Sequence, residues 1–203
     1  MPSLTDALKQ IEAYSKCDQS FWRPQLSIQD IDVILQNYPF KLTEEVYELY
    51  RWHNGTLPIF REDDMTSEIA FDFGYHLAEL IGDITFLPLE EAIFWWQARD
   101  DYHASFVPYE PSNIFPLFFC DFGQIVVLGS TIQQKFSPVY RVTDLDVSQI
   151  HEPLYPSITN MMLAIAEIIE SRAKFWNSGI CNLLIYDMGC RPIDQKYGRG
   201  KSQ

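Results

Sequence analysis

The chain has 203 residues, of which 47% are hydrophobic, 15% aromatic and 21% charged. A chain of this length and composition can bury a core of its own, so neither disorder nor dependence on disulfides is expected. Fifteen Lys and Arg against 28 Asp and Glu give a formal net charge of −13, which opposes binding to nucleic acid or to an anionic membrane and favours a basic partner.

The cysteines and the N-terminal segment exclude several further classes. The four cysteines lack any CxxC spacing, which excludes zinc-ribbon and thioredoxin-type sites: Cys17, Cys120, Cys181 and Cys190. The first 17 residues are amphipathic and carry charges throughout, unlike a secretory signal. The longest apolar runs are far shorter than the roughly 18 residues of a membrane span. We therefore expect a soluble, cytoplasmic protein.

The first 55 residues have the periodicity of helices. The first helix should bury one face, formed by Leu4, Leu8, Ile11 and Tyr14. Ser27 and Asp30 have the spacing of a capping box that starts a second helix, and Pro39 should end it. Its predicted inward residues are Ile28, Ile31, Ile34 and Leu35.

A third helix is predicted over the segment TEEVYELYRWHNG. Thr43 should cap it, and Glu44 and Glu45 lie where the helix dipole favours acids. Its predicted buried stripe consists of Val46, Leu49, Tyr50 and His53. Gly55 should supply the left-handed residue that ends it.

The middle of the chain changes to the alternation of strands. Strands are predicted at 69–73, 84–86, 114–120, 124–128 and 139–142, with a tight hairpin at Asp121-Phe122-Gly123 and a possible edge strand at 182–186. Helices are predicted from Leu89 to His103 and from Ser157 onward. This order predicts an α+β fold with a single antiparallel sheet of about four to six strands, flanked by N-terminal, middle and C-terminal helices. We expect one domain over residues 1–176 and a partly basic C-terminal extension over 177–203, whose role is unassigned.

Motifs for catalysis are missing from the sequence. It contains neither G-x-S-x-G nor G-x-G-x-x-G, and the Gly200-Lys201-Ser202 segment lacks the first glycine of a phosphate-binding loop. A hydrolytic metal site is the remaining catalytic hypothesis, with candidate ligands His53, Glu62, Asp63, Asp64, Asp72 and His76. The two histidines lack the H-x-x-x-H spacing, so a core or capping histidine beside a solvated acidic loop is favoured. We therefore expect no catalytic residue, no metal and no cofactor.

The negative charge is concentrated in the middle of the chain. Residues 62–134 hold 13 acids and a single base, Arg99, a net charge of −12. This is either an ordinary solvated surface or a face that meets a basic protein. On the second interpretation the partner-binding residues are Glu62, Asp63, Asp64, Glu90, Glu91, Asp100 and Asp101. The aromatic clusters at 50–52, 94–96 and 118–119 are interpreted as core and not as a stacking platform for nucleic acid.

Several segments, in order, resemble the SUKH superfamily of Smi–Knr-type proteins. TEEVYELYRWHNG is similar to the family's acidic helix that closes on an "hNG" turn, with matching residues Leu49, Tyr50, His53, Asn54 and Gly55. Residues 86–92, FLPLEEA, look like its strand leading into a helix, followed by a tryptophan, Trp95 or Trp96. Residues 115–117 and 121–124 resemble its hairpin, with Gln124 replacing a second glycine, and 137–140 and 157–162 complete the order. The resemblance covers about residues 4–176.

The resemblance implies an α+β domain with one antiparallel sheet, a binding role and no shared catalytic residues. Bacterial members of the family are typically immunity proteins that neutralise toxins, often nucleases, and fungal members regulate cell-wall synthesis and signalling. It assigns a structural role to four motif residues: Asn54, Gly55, Pro116 and Gly123. Three hypotheses remain: a protein that neutralises a basic toxin, a regulatory scaffold, and a metal-dependent hydrolase that uses the acidic cluster between His53 and His76.

Overall fold

The computed structural model describes residues 2–14, 22–56, 85–103, 113–120, 123–142 and 153–176, together with residues 193, 196 and 197. This part of the chain contains five helices: α1 (Leu4–Tyr14), α2 (Ile28–Leu35), α3 (Glu44–Trp52), α4 (Leu89–His103) and α5 (Ile158–Trp176). It also contains four strands: β1 (Thr85–Phe86), β2 (Ile114–Cys120), β3 (Gly123–Leu128) and β4 (Val139–Val142). The predicted α+β class with a single antiparallel sheet is confirmed.

The four strands form a sheet in the order β1-β2-β3-β4, and every neighbouring pair is antiparallel. Cys120 of β2 pairs with Gly123 of β3, so two residues connect the strands where the sequence predicts a hairpin. Pro116 lies in β2 immediately before a shift of register. An irregularity of this kind is where a sheet tolerates a residue without a backbone N–H.

The helices pack against one another and, through α4, against the sheet. α4 packs against β2, and α1 and α3 both contact α5. Leu4, Leu8 and Ile11 of α1 are buried, as predicted. α5 contributes the longest buried stripe, which includes Ile158 and Met161. None of the helices in the described part of the chain has the length and apolar character needed to cross a membrane.

Two details of α2 differ from the prediction. The capping box is present: the Ser27 hydroxyl accepts a hydrogen bond from the Asp30 amide, and the Asp30 carboxylate accepts one from the Ser27 amide. However, the side chain of Ile28 is 47% exposed, and the helix ends at Leu35, before Pro39. Ile28 has the helical spacing of Ile31 and Leu35, but it follows the cap directly, at the end of the buried face. The strands predicted at 69–73 and 182–186 lie outside the described residues.

The described residues of the C-terminal extension pack against α5. Ile193 is buried in the same core as the helices. The Tyr197 hydroxyl donates a hydrogen bond to Glu167 of α5 at 2.8 Å, and Lys196 forms an ion pair with the same carboxylate. The extension thus contributes side chains to the core of the domain.

The start of α5 is held by a buried carboxylate from another helix. Glu45, in the first turn of α3, is only 3% exposed. One of its oxygens accepts hydrogen bonds from the amide and the hydroxyl of Thr159, at 2.8 and 2.5 Å. The other accepts from the amides of Ile158 and Ser137, at 3.2 and 3.4 Å. The first amides of a helix have no hydrogen-bond acceptor within that helix. Glu45 therefore accepts hydrogen bonds from the first amides of α5, in addition to its favourable interaction with the dipole of α3.

Thr43 does not cap α3 as the sequence suggests. It occupies the N-cap position with an extended backbone, but its side chain makes no capping hydrogen bond. Its hydroxyl oxygen is buried and has no hydrogen-bond partner among the residues that the structure describes. The α3 amide of Glu44 instead donates to the carbonyl of Gln134, in the connection between β3 and β4.

We predict that Glu45→Gln lowers the free energy of unfolding by about 1–3 kcal/mol, because the amide group of Gln turns an N–H donor toward buried donors. Glu44→Gln is the matched control, since it removes the same charge from the neighbouring exposed position and should change stability by less than about 0.5 kcal/mol. Urea unfolding followed by circular dichroism measures both. Equal effects of the two substitutions would contradict the capping role of Glu45.

Candidate functional site

The turn that follows α3 connects this helix to the start of α4. Asn54 is buried, and its side-chain oxygen accepts a hydrogen bond from the Leu89 amide at 2.8 Å. Leu89 is the first residue of α4, so Asn54 caps a helix that begins 35 residues later in the chain. The Asn54 amide group donates to Glu90 at 3.2 Å.

Gly55 has the backbone conformation that the sequence predicts, with a φ of 78°. In addition, Gly55 lies against the backbone of Leu87 and Pro88, which immediately precede α4. A Cβ atom at this position would lie 2.7 Å from the Leu87 carbonyl carbon, 2.8 Å from the Pro88 Cα and closer still to the Pro88 nitrogen. Both the torsion angle and the close approach therefore require glycine.

His53 is not part of the buried stripe of α3, which corrects the prediction. It is the C-cap residue, with an extended backbone and a partly exposed ring. The ring stacks on Trp22 with a centroid distance of 4.8 Å and an interplanar angle of 12°. Its Nε2 lies 3.3 Å from the Glu12 carboxylate, which also accepts a hydrogen bond from the Trp52 indole at 2.6 Å. These contacts connect α1 to the end of α3.

The hydrolase hypothesis depends on residues that the structure describes only in part. His53 is described, whereas Glu62, Asp63, Asp64, Asp72 and His76 lie outside the described residues. Among residues 2–14, 22–56 and the other described ranges, no group of three or more His, Cys, Asp or Glu side chains is placed to hold a metal ion.

Glu90 and Glu91, both predicted to bind a partner, have different surroundings in the first turn of α4. Glu90 forms an ion pair with Arg23 and accepts the hydrogen bond from Asn54. Burial, the largest single influence, acts to raise the pKa of Glu90. The hydrogen bonds from its own backbone amide and Asn54, together with the Arg23 charge and hydrogen bond, nevertheless hold this pKa below its usual value. Glu90 is thus engaged within the domain.

Glu91 is partly exposed, and its carboxylate forms no hydrogen bond or ion pair with the part of the chain that the structure describes. Its backbone amide donates to the Pro88 carbonyl, as the first turn of the helix requires. For Asp100 and Asp101, later in α4, the structure describes the backbone alone. The remaining predicted acids, Glu62, Asp63 and Asp64, lie in a range that is not described. Of the predicted acids whose side chains are described, Glu91 is therefore the one without a partner in those ranges.

The solvent face of α4 carries two aromatic side chains. Phe94 is 60% exposed and Trp95 is 39% exposed, so the prediction that they form core is wrong for these two residues. The neighbouring Trp96 does pack inward, with ring centroids 5.0 Å from Tyr38 and 5.4 Å from Phe40. We define the α4 face as Glu91, Phe94 and Trp95.

The sequence contains the signal that was missed on this face. Buried residues of α4 recur at helical spacing: Leu89, Ala92, Ile93 and Trp96. This stripe already fills the inward side of the helix, so Phe94 and Trp95 are left for the outward side. A helix whose inward side is already filled and that still presents large apolar residues to solvent is typical of an interaction surface.

A third exposed aromatic residue lies in the connection between β3 and β4. Phe136 is 53% exposed, and the Lys135 ammonium lies 5.1 Å from its ring centroid. Residues 129–138 contain no acid. Phe136 therefore resembles Phe94 in exposure but lacks an acidic neighbour in its own segment.

We predict that Gly55→Ala lowers the free energy of unfolding by at least about 1 kcal/mol, because the substitution combines a left-handed torsion angle with a clash against backbone atoms. Thermal unfolding followed by circular dichroism measures the effect. An unchanged melting temperature would show that the turn can rearrange around a side chain.

The lowered pKa of Glu90 predicts a pH dependence of stability. Because the folded-state pKa lies below the unfolded one, the ionised carboxylate stabilises the fold above the ordinary pKa of glutamate, about 4.3. This contribution is lost as the pH falls through the folded-state pKa. The stability difference between the wild type and Glu90→Gln should therefore be largest near neutral pH and shrink below about pH 4. Urea titrations at a series of pH values test this; a difference that is constant with pH would exclude the ionic contribution.

Comparison with known proteins identifies no relative of this chain. No protein-family model matches the chain, and no curated protein matches it. The fold and the α4 face therefore rest on the structure itself. The resemblance to the SUKH superfamily stays a prediction from the motif residues, of which Asn54 and Gly55 have the structural contacts described above.

Proposed function

We propose that this chain is a non-enzymatic protein-binding domain that neutralises a basic toxin, such as a nuclease, by direct contact. The observation that carries the proposal is the α4 face, on which Phe94 and Trp95 are exposed near Glu91, whose carboxylate has no partner among the described residues. The resemblance to SUKH immunity proteins supports the same function.

The composition of the α4 face suits recognition of a protein. Tryptophan is among the residues that most often dominate binding energy at protein interfaces, and large exposed aromatic side chains gain free energy when a partner covers them. Acidic residues around such a centre contribute mainly to association rate and specificity. The net charge of −13 extends this effect over a longer distance and attracts a positively charged partner.

The internal contacts of the polar residues also support a binding role. Glu45 accepts hydrogen bonds from the start of α5, Glu90 is paired with Arg23, and His53 is stacked on Trp22. Each of these side chains, which could otherwise serve acid–base chemistry, contributes to the structure of the domain.

The proposal is tested by affinity capture from the source organism, with the wild type and the double variant Phe94→Gln/Trp95→Gln as baits. Glutamine retains a high helix propensity but removes the aromatic surface. The expected result is a basic protein that binds the wild type and is lost from the double variant. With the purified partner, calorimetry should show that the double substitution weakens binding at least about tenfold.

Phe136→Gln is the matched control, because it removes an aromatic residue of similar exposure from another surface. It should leave the affinity unchanged. A partner that is acidic, or one that binds all three proteins equally well, would contradict the proposed function.

A further inference from the structure

We propose that the α4 face recognises arginine side chains of its partner in preference to lysine, by stacking the guanidinium group on Phe94 and Trp95 and pairing it with Glu91. This inference rests on the proposed function and specifies which basic residue the partner must present. It follows from the relative positions of the three side chains and from the contacts that already engage the neighbouring Glu90.

The three residues lie on neighbouring positions of one helix surface. Phe94 follows Glu91 by three residues and Trp95 follows it by four, the two spacings at which side chains of a helix are adjacent. The ring centroids of Phe94 and Trp95 are 5.7 Å apart, with an interplanar angle of 76°. The Trp95 ring also contacts Phe119 of β2, at a centroid distance of 5.0 Å, which restrains the indole against the sheet.

The two consecutive acids of α4, Glu90 and Glu91, differ in the contacts that they make within the described part of the chain. Glu90 is already occupied by Arg23 and Asn54. Glu91, the next residue, is partly exposed and has no such partner in the described part of the chain. A cation that approaches Phe94 and Trp95 from solvent therefore meets two exposed aromatic rings and the Glu91 carboxylate, which nothing in the described ranges already binds.

Guanidinium fits this combination better than ammonium. It is planar and weakly hydrated, it stacks on aromatic rings, and it can donate two parallel hydrogen bonds to a carboxylate. The lysine ammonium is more strongly hydrated and acts as a point charge. Both cations are attracted by the net charge of the chain, so the aromatic rings, and not the charge, should produce the preference.

The experiment measures binding of oligoarginine and oligolysine peptides of equal length by calorimetry at low and moderate salt. Oligoarginine is expected to bind the wild type roughly fivefold more tightly than oligolysine. The double variant Phe94→Leu/Trp95→Leu keeps the apolar contact with Phe119 but removes both aromatic rings, and it should bring the two affinities together. Glu91→Gln should weaken binding of both peptides.

Two controls locate the effect on α4. Phe136→Leu removes the other exposed aromatic residue described above and should leave the arginine preference intact. Arg99→Gln is included because Arg99 lies one helical turn after Trp95. The preference for oligoarginine should persist in this variant, because it depends on the guanidinium groups of the peptide and not on that of Arg99.

The outcomes separate this inference from the proposed function. Equal binding of the two peptides by the wild type, or a preference that survives Phe94→Leu/Trp95→Leu, overturns the arginine inference and leaves a basic partner in place. A preference lost in Phe136→Leu or Arg99→Gln overturns it as well. If neither peptide binds even at low salt, the inference and the proposed attraction of a basic partner to this face both fail.

Discussion

The arrangement of this domain depends on hydrogen bonds that α3 provides to the starts of two other helices. The first amides of any helix lack partners within it, and burying them unpaired is costly. Glu45, near the beginning of α3, accepts hydrogen bonds from the start of α5, and Asn54, just beyond its end, accepts one from the start of α4. One nine-residue helix thus fixes where the two longest helices begin.

The position of the α4 face is a consequence of this constraint. Because Asn54 binds the Leu89 amide, the first turn of α4 lies beside the end of α3, and Glu90 is directed to Arg23. Glu91, the next residue, is half-buried and precedes Phe94 and Trp95 by three and four positions. The same turn therefore pairs one acid of a consecutive pair with Arg23 and Asn54, whereas the other has no partner among the described residues. Tyr50 reinforces this junction, because its buried hydroxyl donates to the Leu87 carbonyl, and burial, with the Glu90 charge, raises its pKa.

The sequence predicts those features that depend on neighbouring residues. The helices, the four described strands and the capping box at Ser27 follow from local periodicity and spacing, and the structure agrees with them. The left-handed Gly55 is predicted for the same reason. The caps by Glu45 and Asn54 join residues 114 and 35 positions apart, and no local pattern encodes such a pairing. The prediction that His53 belongs to the buried stripe is wrong because α3 ends one residue before it, so helical periodicity no longer determines the orientation of its side chain.

The close approach of Gly55 to Pro88 has a consequence for how the acidic segment can vary. The Thr56 amide donates to the Phe86 carbonyl at 2.9 Å, so the two ends of the segment from residue 57 to residue 84 are held next to each other. The entropic cost of holding two chain ends together changes slowly with the number of residues between them, by only about 0.6 kcal/mol for each doubling. A change in the number of residues between 57 and 84 therefore alters the free energy of holding these two ends together by little. Relatives built on this fold could differ in the length of this segment while the caps by Glu45 and Asn54 stay constant.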